Sequence, residues 1–257
     1  MTDSAHASAP TSRRRLGVLV WIAAMVGAVT IVLLVLPVLM ASLPLPAPMP
    51  LLMLASIAQS ALLLGVASWA GAALAHRVGL AAPVFEALAA SRPVGPALTP
   101  QLVPGLVAGV IGGLALAGTV LMAPDELIAV QSRFNPPLIA RVLYGGISEE
   151  VLLRWGLLTV LVYLAWRFLQ RRSGPPKAAF VWVAIFISAV LFGVGHLPAA
   201  AAMLGTVTTD VMMFVIGANT AFGMLFGWLY WRHGLEAAMI AHAVAHIVAY
   251  VVTALTR

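Results

Sequence analysis

The chain has 257 residues, of which 62% are hydrophobic and only 9% charged, against roughly 45–50% apolar and ~25% charged in soluble domains; water is thereby excluded as the solvent for most of its surface. It has no cysteine, so disulfides, iron–sulfur ligation and thiol nucleophiles are excluded, and any catalysis runs on carboxylate, imidazole, hydroxyl or metal chemistry. The formal net charge is +6, but the basic residues stand at the ends of apolar runs rather than in one patch, which marks membrane topology and not a nucleic-acid surface.

A helix needs about 20 apolar residues to cross ~30 Å of hydrocarbon. Seven segments qualify: Leu16–Ser42, Met49–Ala75, Leu102–Ala123, Pro137–Phe168, Ala178–Leu197, Val207–Trp231 and Leu235–Leu255. The expected fold is an all-α, polytopic transmembrane bundle of about seven spans. Its parts are an N-terminal tail (1–15), three spans with a loop at 76–101 (16–136), and a four-span unit (137–257) holding the cavity. Prolines 44, 46, 48 and 50, then Gly174-Pro175-Pro176 and Gly234, punctuate the joints. The first apolar run is far longer than the ~7–15 residues of a signal-peptide core and reads as a retained signal-anchor. With the N-terminus cytoplasmic, Arg13, Arg14, Arg15, Arg77, Arg92, Arg167, Arg171, Arg172, Lys177 and Arg232 all fall on the cytoplasmic side; Arg133 and Arg257 fall outside. This predicts a multi-pass protein of a bacterial-type inner (plasma) membrane, with the 76–101 loop cytoplasmic and lipid as its surroundings.

Ionisable residues at membrane depth are few, and each charge there costs at least ~2.5–3.5 kcal/mol, so they are expected to face the bundle interior. They are Glu149, Glu150, Arg154, His196, His242 and His246, with Arg141, Asp210 and Glu236 nearer span ends. Glu150 and Arg154 stand four apart on one helical face and neutralise each other. Glu149 points about 100° away without such a partner, and Gly145 and Gly146 leave its face open. A carboxylate so placed suits a general base or acid. The alternative is a polar lock between helices.

His196 closes Phe192-Gly193-Val194-Gly195-His196, and a histidine at a span end is often only an interfacial side chain. His242 and His246 project from one face of an apolar helix, the spacing of imidazoles that hold a metal or a reaction centre, although the intervening glutamate of the HExxH zincins is missing. Hydrogen bonding across helices is the plainer reading of the pair. Glu149 and His196 both lie about 27 Å from the cytoplasmic ends of their spans, and His242 only ~10 Å from its own. Either the last helix starts deeper than its apolar run indicates, or the sixth span is broken near Thr206–Asp210 or Asn219.

The order Glu149-Glu150-x-x-x-Arg154, then Phe192-x-x-x-His196, then His242-x-x-x-His246 resembles the CPBP family of intramembrane peptidases, which includes the type II CAAX prenyl endopeptidases and the bacterial Abi or bacteriocin-processing proteins. The family's signatures are EExxxR, FxxxH and HxxxN on successive transmembrane helices; here His246 replaces the final asparagine. The resemblance covers about Arg141 to Tyr250 and makes 137–257 a peptidase core behind three variable spans. It implies an endopeptidase acting on a peptide or protein substrate that is membrane-associated, prenylated or leader-bearing. Glu149 and His196 then activate water, and His242 and His246 stabilise the oxyanion. Glu150 joins the candidate site residues, with Arg154 and Phe192 behind them. His196, His242 and His246 become the ligands if a divalent metal such as zinc is bound. The family has been described both as metalloproteases and as glutamate-type peptidases. A non-catalytic reading, as a proton or ion carrier or an immunity scaffold, uses the same carboxylates and histidines as a relay.

Overall fold

A computed structural model describes residues 10–41, 46–131 and 134–256. Among these, all regular structure is helical and no strand occurs. Seven helices are long and apolar enough to cross a membrane: Arg13–Met40, Met49–Val78, Gly95–Met122, Leu138–Leu169, Ala178–Leu204, Thr209–His233 and Leu235–Leu255. Ser42, Pro44, Arg133, Arg257 and most of the 1–15 tail lie outside the described residues.

The boundaries differ from expectation where proline and capping chemistry decide them. The third span starts at Gly95 rather than Leu102, and the helix Pro83–Ala89 occupies part of the loop expected at 76–101. Pro96 sits in the first turn, where the missing N–H has no intrahelical acceptor to lose. The fifth span continues to Leu204, but it breaks at His196, and Pro198 stands in the first turn of the piece that follows. The sixth span is not broken. Thr208 caps it, its Oγ1 accepting from Val211 N at 3.4 Å, and the helix then runs from Thr209 to His233.

The depth mismatch is met at the start of the seventh span, which is covered rather than surface-exposed. Leu235 N donates to Ala81 O (3.0 Å) and Ala237 N to Gln101 Oε1 (3.0 Å). The Glu236 carboxylate accepts from Val84 N (2.9 Å) and Phe85 N (3.0 Å). Helix Pro83–Ala89 therefore lies across this end. Gly234, at φ 107°, makes the turn, and a Cβ there would press on Pro83 and Gln101.

Close helix approach organises the rest. Among the described residues, the third and seventh spans share the most extensive contact. On the third span, Gly105, Gly109 and Gly113 form a stripe at four-residue spacing. A Cβ added at each would lie 2.9, 2.6 and 2.5 Å from Ile240, Val244 and Val248. Such a small-residue stripe lets backbones meet where no hydrophobic force between helices operates. Gly193 against Ile216, and Gly223 against Ala189, do the same between the fifth and sixth spans. Gly71 receives the indole of Trp155, whose Nε1 donates to Ser68 O at 3.1 Å, joining the second span to the fourth.

Because overpacking a close contact costs about 1–3 kcal/mol, Gly109→Val is expected to lower the thermal unfolding midpoint of detergent-solubilised protein. The same substitution at Gly118, whose Cβ position is open space, serves as the comparison and should leave the midpoint nearly unchanged.

Candidate active site

The fourth span places both glutamates. From Arg141 to Leu158 it is wound with wide π-helical turns, a local distortion that recurs at functional sites. Glu150 is wholly buried and Glu149 is 15% exposed, so the two neighbours face different surroundings.

Glu150 is the centre of a buried network. Its Oε2 lies 3.3 Å from Arg154 Nε, close enough for an ion pair although not aligned as a hydrogen bond. Its Oε1 lies 2.8 Å from His242 Nδ1. The Arg154 guanidinium sits over Phe192 (5.0 Å) and Phe226 (5.6 Å), and its Nη2 reaches Gly223 O at 3.4 Å. Such cation–π contacts suit an arginine removed from water. Phe226 in turn stacks on His242 at 4.5 Å, and His242 on His246 at 5.0 Å. Glu150 thus holds an imidazole and a guanidinium at once, and it does not line the chamber.

Glu149 does. Its carboxylate lies 3.8 Å from His196 Nε2 and 3.9 Å from His242 Nε2. Each histidine is fixed through its other nitrogen. His196 Nδ1 is 2.8 Å from Phe192 O, which only accepts, so Nδ1 carries the proton and Nε2 of the neutral ring presents a lone pair. The carboxylate of Glu150 orients His242 in the same way. Three acceptors therefore face one gap, at separations too long for direct hydrogen bonds and suited to a bridging water with two O–H donors. Gly145 makes the room: a Cβ there would lie 2.8 Å from His246 Nε2 and 3.1 Å from His242 Nε2.

The surrounding chamber has a volume of about 430 Å³ and is lined by Glu149, Phe192, His196, His242 and His246 together with Arg141 and mostly apolar residues. Its walls reach beyond the four C-terminal spans: Ile31, Val35 and Leu39 come from the first span and Leu116 from the third. Sequence reasoning missed these, and also Tyr144; Asn219, singled out in the sequence as a candidate break in the sixth span, lines the chamber from an unbroken helix. Among the described residues, no group of three or more His, Asp or Glu side chains is placed to hold a metal ion. The set His196, His242 and His246 does not converge in that way, so the residues present do not fit a three-ligand metal centre.

A family model described as type II CAAX prenyl endopeptidase Rce1-like matches residues 132–248. Residues 132–248 form an Rce1-like segment. It contains Glu149, Glu150, Arg154, Phe192, His196, His242 and His246, and the match implies a protease of the CAAX endopeptidase type in an integral membrane protein. No curated protein and no solved structure matches the chain.

The two glutamates of the Rce1-like segment separate experimentally. Glu150→Ala leaves Arg154 buried without its carboxylate, a change that costs about 3–5 kcal/mol, and the thermal midpoint should fall sharply. Glu149→Gln removes no buried ion-pair partner of Arg154, and its midpoint should stay near wild type.

Proposed function

We propose that the chain is an intramembrane endopeptidase of the glutamate type, in which Glu149 and His196 activate a water held between them. The observation that carries this reading is the convergence of the Glu149 carboxylate and two fixed imidazole Nε2 atoms on one gap inside an apolar chamber. A water donating to Glu149 and to His196 directs a lone pair into the chamber. As its oxygen bonds to the peptide carbonyl carbon, Glu149 takes the proton and the carbonyl π pair moves onto oxygen. His246 donates a ring N–H to that oxyanion, while His242, whose Nε2 accepts, helps to hold the water. The proton then passes to the leaving nitrogen as the C–N bond breaks, giving a new carboxyl end and a new amine. A chamber of low dielectric strengthens each of these interactions. The substrate is a membrane-associated peptide bearing a prenyl group or a leader.

Removing a general base costs ~10²–10⁴-fold. Glu149→Gln should therefore lower the cleavage rate of a lipid-modified peptide by that factor in detergent or liposomes, with the protein still folded. Cleavage at the wild-type rate by this variant would end the proposal.

The same reading puts the N-terminus and the 170–177 turn in the cytoplasm, in keeping with the arginine distribution. A cysteine introduced at Ser173 should be shielded from an impermeant thiol reagent in intact cells and labelled after permeabilisation.

A further inference from the structure

A second cavity, of about 460 Å³, adjoins the chamber that holds Glu149. The two share Leu116, Arg141, Met203 and His246 as walls. Beyond these residues the lining changes character, because Thr119, Asn135, Tyr250 and Thr253 join it. Thr119 and Thr253 donate to carbonyls of their own helices, Leu116 O (2.6 Å) and Ala249 O (2.8 Å), so their oxygens keep lone pairs for a further donor. Arg141 holds the turn before the fourth span in place: its Nε donates to Pro136 O at 2.9 Å and its Nη2 to Asn135 Oδ1. A permanent charge between two cavities at membrane depth is tolerated where water reaches it.

The second cavity lies at one end of the bundle. Thr119 and Val120 close the third span, Asn135 and Pro136 precede the fourth, and Thr253 and Ala254 end the seventh. These ends stand opposite the 170–177 turn that follows the fourth span. On the seventh span His242, His246, Ala249 and Thr253, at intervals of four, three and four, keep one face. The seven residues from His246 to Thr253, at ~1.5 Å each, carry that face about 10 Å beyond the imidazole. Tyr250 and Ala254 are exposed, so the cavity reaches the surface there.

The other end is shut. Leu235, Glu236, Ala237, Ala238, Met239 and Ala241 are all buried ahead of His242, and helix Pro83–Ala89 covers their start through Glu236. Glu150, Arg154, Phe226 and Tyr230 on the neighbouring spans are buried as well. Hydrolysis consumes one water for each bond cut, and neither hydrocarbon nor this packed end supplies it. Irregular, polar wall at membrane depth is the mark of a wet cavity.

We propose that the second cavity is the aqueous vestibule of the reaction centre, bringing water to Glu149 from the extracytoplasmic face and lodging the hydrophilic flank of the substrate peptide. The inference rests on the peptidase reading and on the cytoplasmic N-terminus proposed above. It adds a substrate class: membrane-associated peptides whose polar flank emerges on the extracytoplasmic side.

The test exploits the absence of cysteine from the chain, which makes any introduced thiol unique. Ala249→Cys and Thr253→Cys place one in the vestibule, and Val251→Cys places one on the exposed face of the same helix. A charged, impermeant methanethiosulfonate reacts with thiolate, which hydrocarbon suppresses, so in intact cells both vestibule variants should be labelled about tenfold or more faster than Val251→Cys. Ser173→Cys should react only after permeabilisation. Labelled Ala249→Cys or Thr253→Cys should lose most of its cleavage of a membrane-associated peptide relative to the same variant unlabelled, whereas labelling Val251→Cys should cost nothing. Failure of both vestibule thiols to react from either side, or labelling of both without loss of cleavage, would overturn the vestibule while Glu149-dependent cleavage upheld the peptidase reading. Labelling of the vestibule only after permeabilisation would overturn the extracytoplasmic assignment, and Ser173→Cys would then tell whether the orientation is at fault. Labelling as expected with no Glu149-dependent cleavage of any peptide would support the vestibule and reject the peptidase.

Discussion

The carboxylate of Glu150 is the point on which the other parts of the interior depend. A buried guanidinium and a buried imidazole both lean on it, and all three groups are shut off from the surface. Removing one member of such a set leaves a charge in a medium that solvates it badly, so the cost falls on folding rather than on a single contact. The aromatic rings of Phe192 and Phe226 complete the enclosure, and through Phe226 the arrangement reaches the stacked imidazoles. Glu149 is then free of structural duty and faces the chamber.

Two adjacent and chemically identical side chains therefore have opposite tasks, set by which way the helix turns them. The distinction was legible in the sequence on one side only. Spacing four apart pairs Glu150 with Arg154 on any helix, but the third partner, His242, stands 92 residues further along and no local pattern points to it. Likewise His196 reads as an interfacial side chain until the helix break at His196 itself and the bond to Phe192 O show it turned inward.

Other features escaped because the sequence signal is degenerate in a membrane. An apolar residue in a span looks the same whether it meets lipid, another helix or a cavity, so Ile31, Val35 and Leu39 carry no mark of their position. The four-residue spacing of Gly105, Gly109 and Gly113 suits a close-packing face, but spacing alone does not say which helix that face receives. The number of spans was legible because a run of about 20 apolar residues has few alternatives. The ends of those runs were less so: the third helix begins at Gly95, with Pro96 in its first turn and Pro100 and Pro104 inside it, and the seventh begins beneath a short helix that hydropathy alone reads as loop.

The pairing of Glu150 with Arg154 inside one helix also bears on how the chain is made. Spans enter the bilayer in order during synthesis, and the fourth arrives with three more still to come. Were its carboxylate neutralised only by His242, the helix would wait in hydrocarbon with a bare charge until the last span emerged. With Arg154 four residues away, Glu150 enters already paired. The third span meanwhile keeps its glycine face unoccupied until the seventh fills it. The proposed reaction centre is therefore completed last: a nascent chain stalled before the final helix holds Glu149 and His196 without His242 and His246.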